Sequence, residues 1–243
     1  MVAQSLCKKS FLLILCFVSA VLADFNYYRN RDAGNFEIRT LKPFKADKDV
    51  LSVIMREGIP RGGGYIYQYP RENPVPFMTD KYAKQGDLSM EIELIASDYS
   101  GAAICIAGTV NAIPYMEEGA LEFWIRGERG GEIAQYVLAD DGVKSNGESL
   151  QVKLGSKSFG EVTTEWQHIS IPLKSFGETG VYWDVKNQRE VMQPFAWDAL
   201  KCFRLDIRAG ENTAFKVWVD DVVVKKVGQE YEGPVGYPFR NVL

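Results

Sequence analysis

Along several separate stretches of this chain, apolar and polar residues take turns one for one. In Asp87–Leu94 the residues Leu88, Met90, Ile92 and Leu94 alternate with Asp87, Ser89, Glu91 and Glu93. Leu121, Phe123 and Ile125 alternate with Glu122, Trp124 and Arg126. The same rhythm runs through Leu150–Leu154, through Cys202–Arg208 (core set Phe203, Leu205, Ile207) and through Phe215–Asp221 (core set Phe215, Val217, Val219). A helix would scatter these residues around its circumference, whereas a strand sends alternate side chains to opposite faces. Each stretch therefore reads as a strand with one buried face and one wet face.

Glycines punctuate these strands. Gly101, Gly127, Gly130-Gly131, Gly155 and Gly177 fall where the chain must turn, and Asp140-Asp141-Gly142 is a hairpin signal. Short strands with frequent turns and no alternation with helices predict an all-β, antiparallel two-sheet sandwich. The one helical candidate is Lys45–Gly58. The expected organisation is a signal segment (1–23), an N-terminal extension (24–60), a sandwich domain (61–227) and an irregular tail (228–243).

The N-terminus carries Lys8 and Lys9, then the apolar run Phe11–Ala23, then Asp24 after the short-residue ending Val21-Leu22-Ala23. That is the layout of a cleavable export signal, and the run is too short to span a bilayer. The expected location is periplasmic or secreted, with no membrane span after cleavage. Bulky Leu15 before Cys16 speaks against a lipid-anchor site. The chain has a formal charge of −4, and losing Lys8 and Lys9 makes it more negative. Nucleic acid is excluded as the expected partner, because such binding rests on cationic side chains against phosphates. Of the four cysteines, Cys105 and Cys202 remain after cleavage. They form either one disulfide or two buried thiols on neighbouring strands.

Catalytic chemistry finds little to work with. The single histidine, His168, lies in a strand-like segment, no Gly-x-Ser-x-Gly elbow occurs, and Gly62-Gly63-Gly64 precedes a strand rather than a helix. Two cysteines and one histidine do not make a zinc site. An acidic chain still leaves open a paired-carboxylate glycan-active enzyme, since such pairs are defined in space. Adjacent Asp220 and Asp221 do not make that pair, because neighbours in a strand point apart.

Gly86–Met90, Tyr99–Ala102, Leu121–Gly127 (LEFWIRG), Trp166–Phe176 (WQHISIPLKSF) and Val217–Val223 (VWVDDVV) follow one another in the order of motifs in jelly-roll carbohydrate-binding modules of galactose-binding-like fold, which the chain resembles. The resemblance implies a non-catalytic module for a glycan or polysaccharide. The chain is also similar to spirochaete flagellar outer-layer sheath proteins, which implies an alternative role as a subunit of an extracytoplasmic assembly, with protein partners. Sugars present apolar faces to aromatic rings and hydroxyls to polar side chains. The candidate ligand-binding residues are therefore Trp124 with Glu122 and Arg126, Trp218, Tyr182 and Trp183 in their Gly-flanked segment, Tyr99, and Arg204 and Arg208 on the polar face of their strand. Trp124, Trp183 and Trp218 are expected to converge on one concave face. Trp166 and Trp197 are assigned to packing. The resemblance also implies a structural calcium ion held by Asp220 or Asp221 with backbone carbonyls.

Overall fold

The alternation read at Leu121–Arg126 becomes a central strand in a computed structural model of the protein. The structure describes residues 50–226 apart from 57, 63, 98–99, 142–150, 156–158, 160, 185 and 208–212, and only the backbone of Ile59. All of these belong to the second of two compact units, Thr40–Leu243. The signal segment, most of the N-terminal extension and the tail lie outside the described residues, as do Tyr99 and Arg208.

The described strands are β1 (Val50–Arg56), β2 (Ile59–Pro60), β3 (Tyr65–Tyr69), β4 (Phe77–Thr79), β5 (Ser89–Leu94), β6 (Gly101–Val110), β7 (Gly119–Gly127), β8 (Ala134–Asp140), β9 (Gln151–Gly155), β10 (Gln167–Pro172), β11 (Thr179–Asp184), β12 (Arg189–Pro194), β13 (Leu200–Ile207) and β14 (Phe215–Lys226). Two seven-stranded antiparallel sheets result. The first runs β10-β7-β14-β1-β2, with β5 on the early half of β14 and β4 beside β5; the second runs β12-β11-β9-β8-β13-β6-β3. This is the expected antiparallel two-sheet jelly-roll sandwich.

The core forms where the two sheets face each other. Phe123 of β7 meets Tyr136 of β8 edge-on at 4.9 Å between ring centroids and Phe203 of β13 at 5.0 Å. Around them Met90, Ile92, Ile125, Val217, Val219 and Leu205 are all fully or almost fully buried. These are the apolar positions of the period-two pattern, and their burial supplies the main driving force.

The helix expected within Lys45–Gly58 is not there over its described part. Val50–Arg56 is β1, paired with the late half of β14, with Val53 opposite Val223 and Met55 opposite Val222. The sandwich therefore begins at least as early as Val50, inside the stretch assigned to the extension. A free strand position beside β14, and burial of Ile54 and Met55, outweigh a local helical spacing.

Candidate functional site

Each sheet has an outer face, and the two faces differ. On the first sheet, the polar positions of β7 and β14 point outward as the alternation requires: Arg126 registers with Trp218 and Trp124 with Asp220, while Glu122 lies opposite Val223 beyond a register shift. That face is not open. The segment 80–88 crosses it, held by Asp220, whose Oδ2 accepts the N–H groups of Lys84 (2.9 Å) and Gln85 (2.8 Å). The Tyr82 ring lies edge-on to Trp218 at 4.7 Å, and the Arg126 guanidinium sits 3.6 Å from the centre of the Tyr82 ring. Trp218 is 1% exposed and donates its Nε1–H to Glu91 Oε2 at 3.0 Å. The Lys84 ammonium stands 4.3 Å over Trp124, and the His168 ring is 4.7 Å from it.

Trp124 and Trp218 therefore do not converge with Trp183, which sits on the opposite sheet. Alternation tells which side of a sheet a ring occupies; it does not tell what crosses that side. Glu122 is likewise engaged, by Ser170 at 3.2 Å and His168 at 3.3 Å. Burial pushes its carboxyl up, but the His168 hydrogen bond and charge, with Lys225 and Ser170, outweigh that and bring it below the usual range.

The two candidate calcium ligands are also spoken for. Asp220 is fully buried, and besides Lys84 and Gln85 it accepts the Asp221 N–H on Oδ1 at 2.8 Å. Burial pushes its carboxyl up to about 6, against the pull of those three N–H groups and with help from the Asp221 charge. A register shift between Asp220 and Val223, with Asp221 at φ +46°, turns the Asp221 carboxylate to Arg56 Nε at 2.8 Å. Both carboxylates thus face N–H donors rather than the oxygen shell of a hard cation, and they do not fit calcium. Among the described residues no three Asp, Glu, His or Cys side chains gather as metal ligands.

The outer face of the second sheet has a different build. Tyr65, Tyr67 and Tyr69 alternate along β3, an edge strand, so all three rings stand on that face. Their centroids follow at 6.1 and 6.2 Å, the first pair stacked with planes 26° apart and the second tilted at 36°, and Tyr65 is 46% exposed. Across the sheet from Tyr65, one register row holds Cys105, Cys202, Ala139, Gln151 and Val181. Cys105 and Cys202 sit directly opposite each other with Cα atoms 4.1 Å apart and are joined by a disulfide. With Ala103 and Ala139 they form a floor of small side chains, each at most 4% exposed, against which Tyr67 packs. At the far side Trp183 of β11 is 47% exposed and Met192 of β12 is 51% exposed. From β3 to β11 is five strand spacings, roughly 24 Å.

One end of this trough carries charge. Arg204 of β13 is 3% exposed and grips Asp206 with Nη2 on Oδ2 at 2.7 Å and Nε on Oδ1 at 3.3 Å. The Tyr69 hydroxyl donates to Asp206 Oδ1 and accepts from Arg204 Nη2. Arg204 is therefore a buried, paired residue rather than the free surface donor expected. Tyr182 points inward and is 8% exposed, the opposite side from its neighbour Trp183. Trp197 packs against Phe195 at 4.7 Å, as assigned. The tyrosines of β3 were not among the expected residues. Their signal is in the sequence: YIYQY puts three aromatics at spacing two just after a glycine run.

The arm before Val50 and the tail after 227, on which an assembly role would rest, lie outside the described residues. Among the described residues no helix is long and apolar enough to cross a membrane.

Comparison with known proteins places this geometry. The model of the family described as carbohydrate binding domain 30 matches residues 55–226. The family 30 carbohydrate-binding module of a cellulosomal cellulase of Clostridium thermocellum superposes with a TM-score of 0.54 at 19% identity, over 74% of this chain and 96% of that one. A second family 30 module gives 0.56 at 21% identity, over 73% and 99%. The family 11 module from Clostridium thermocellum, in complex with a β-1,3-1,4-mixed-linked tetrasaccharide, gives 0.50 at 10% identity, over 74% and 98%. No curated protein matches the sequence. The motif order, the two-sheet sandwich and the family match over most of the chain agree: this chain belongs to the carbohydrate binding domain 30 family.

Proposed function

We propose that the chain is an exported, non-catalytic module that binds an extended polysaccharide of β-linked sugars in the trough on the outer face of its second sheet. The observation that carries this reading is the part-exposed row Tyr65-Tyr67-Tyr69 at about 6 Å spacing, its first pair stacked and its second tilted, on the same outer face as Trp183. Aromatic faces stack on the C–H faces of pyranose rings, and Tyr65 and Trp183, each about half exposed, offer such faces at the two sides of the sheet. The mixed-linked tetrasaccharide on the family 11 module suggests β-glucans as the first ligands to try. Export is read from Lys8, Lys9 and the Phe11–Ala23 run.

Affinity electrophoresis in gels cast with mixed-linked β-glucan and other β-linked polysaccharides tests the binding reading. Retardation of the wild type that is lost in Tyr67→Ala and kept in Trp124→Ala is the expected result. Free migration of the wild type through every such gel overturns it. N-terminal sequencing of the protein recovered outside the cytoplasm tests export, with Asp24 as the expected first residue.

A further inference from the structure

Two cations share one carboxylate on the trough floor. Lys153 of β9 registers with Val137 of β8, which registers in turn with Arg204 of β13, so the two basic side chains lie in one row. Both turn towards Asp206, but not equally. Arg204 holds it with two hydrogen bonds and Tyr69 adds a third. The Lys153 ammonium stops 4.0 Å from Oδ2, beyond hydrogen-bond reach, with its side chain 19% exposed.

Lys153 is thus mostly removed from water without a close acceptor in exchange. Burial pushes its amine below the ordinary lysine value, and the neighbouring Arg204 charge adds to that. Asp206 and Glu190 of β12 pull the other way without cancelling it. What the ammonium lacks is an acceptor oxygen within hydrogen-bond reach, since Asp206 Oδ2 stays at 4.0 Å. A sugar hydroxyl would give the ammonium a neutral acceptor; a carboxylate would give it a charge-assisted hydrogen bond, about twice as strong.

We propose that Lys153 makes the trough select a polysaccharide bearing carboxylates, a uronate-containing chain, over its neutral counterpart. The inference rests on the reading of this face as the glycan surface. The net charge of −4 repels polyanions at long range, so the preference has to come from contact at Lys153 rather than from the field of the whole protein.

The test uses the full chain and two probes that differ only in the carboxylate: a neutral β-1,4-glucan oligosaccharide and its C6-oxidised polyglucuronate counterpart, titrated calorimetrically at pH 7. The expected result is about tenfold tighter binding of the uronate, with the ratio of the two affinities falling to about one in Lys153→Met. Equal or tighter binding of the neutral probe by the wild type overturns the uronate preference and leaves the platform reading standing. A wild-type preference that survives in Lys153→Met overturns the role of Lys153. Binding of neither probe overturns both, and free migration in the polysaccharide gels then shows that the platform reading failed first.

Discussion

The Tyr69 hydroxyl reaches across Gly101 to donate to Asp206 Oδ1, two strands away from its own. The ring crosses β6 only because Gly101 has no side chain. A Cβ there would stand 2.3 Å from the Tyr69 Oη, 2.5 Å from its Cζ and 2.5 Å from Asp206 Oδ1. Gly101→Ala therefore lifts the ring off the floor and breaks its tie to the ion pair. Glycan affinity is expected to fall about tenfold, the value of one well-placed aromatic contact. Tyr69→Phe, which keeps the ring and loses the tie, is expected to fall part of the way. Calorimetric titration of both variants checks the order; Tyr69→Phe weaker than Gly101→Ala would contradict it.

The disulfide closes a sequence separation of 97 residues between two strands of the second sheet. In the chain-entropy account, opening such a loop costs about 4 kcal/mol of stability. Replacing both cysteines by alanine should lower the unfolding free energy by that order and raise the denaturant slope, because the uncrosslinked chain exposes more surface when it unfolds. Urea unfolding of the oxidised wild type and the double variant reads the difference. A loss under about 1 kcal/mol would show that the bridge constrains little in the unfolded chain.

Asp220 links stability to pH with an uncommon sign. Its folded value is raised to about 6 from the ordinary 3.8, with burial as the main cause. The folded state then holds the proton more tightly than the unfolded chain. This contribution is fully present below about pH 4 and is lost as pH rises through about 6, at most about 3 kcal/mol in all. Glu122, with its value lowered, works in the opposite direction at lower pH. Denaturant unfolding at intervals from pH 4 to 7.5, in wild type and Asp220→Asn, isolates the Asp220 part. Stability of the variant relative to wild type should rise over that range. A flat or falling difference would mean that the three N–H groups, not burial, dominate at this carboxylate.

Gly127 ends β7 beneath the Glu132 carboxylate, where a Cβ would come within 1.9 Å of Oε2. Glu132 also accepts the Arg129 N–H on Oε1 at 2.8 Å, closing the turn between β7 and β8. Gly127→Ala should expel the carboxylate, orphan that N–H and cost about 2 kcal/mol. Adding Glu132→Ala to it should cost much less than the two single changes together, because the clash is then gone. Simple additivity in thermal or urea unfolding would contradict this pairing.

The strands were legible wherever a two-sided environment forced strict alternation, as in Leu121–Arg126 and Phe215–Asp221, and the core set of each is buried, although in the second Trp218 and Asp220 of the outer face are buried as well. Val50–Arg56 was misread because its apolar residues fit a helix as well as a strand; only the late half of β14, some 170 residues on, decides the matter. The outer faces were harder for the same reason. That Trp218 is roofed by Tyr82, and that Arg204 is consumed by Asp206 and Tyr69, depends on contacts between distant segments, which periodicity does not encode. The tyrosine row of β3 was visible as a pattern but carried no weight until the register set it beside a floor of small residues.

Which outer face takes the glycan can be read from the five tryptophans. In a two-dimensional NMR titration with a β-linked oligosaccharide, each indole N–H gives its own signal. With glycan on the second sheet, the Trp183 signal moves with ligand while those of Trp124 and of Trp218, tied to Glu91, stay in place. Movement of Trp124 and Trp218 with Trp183 unmoved would put the ligand on the first sheet and contradict that placement.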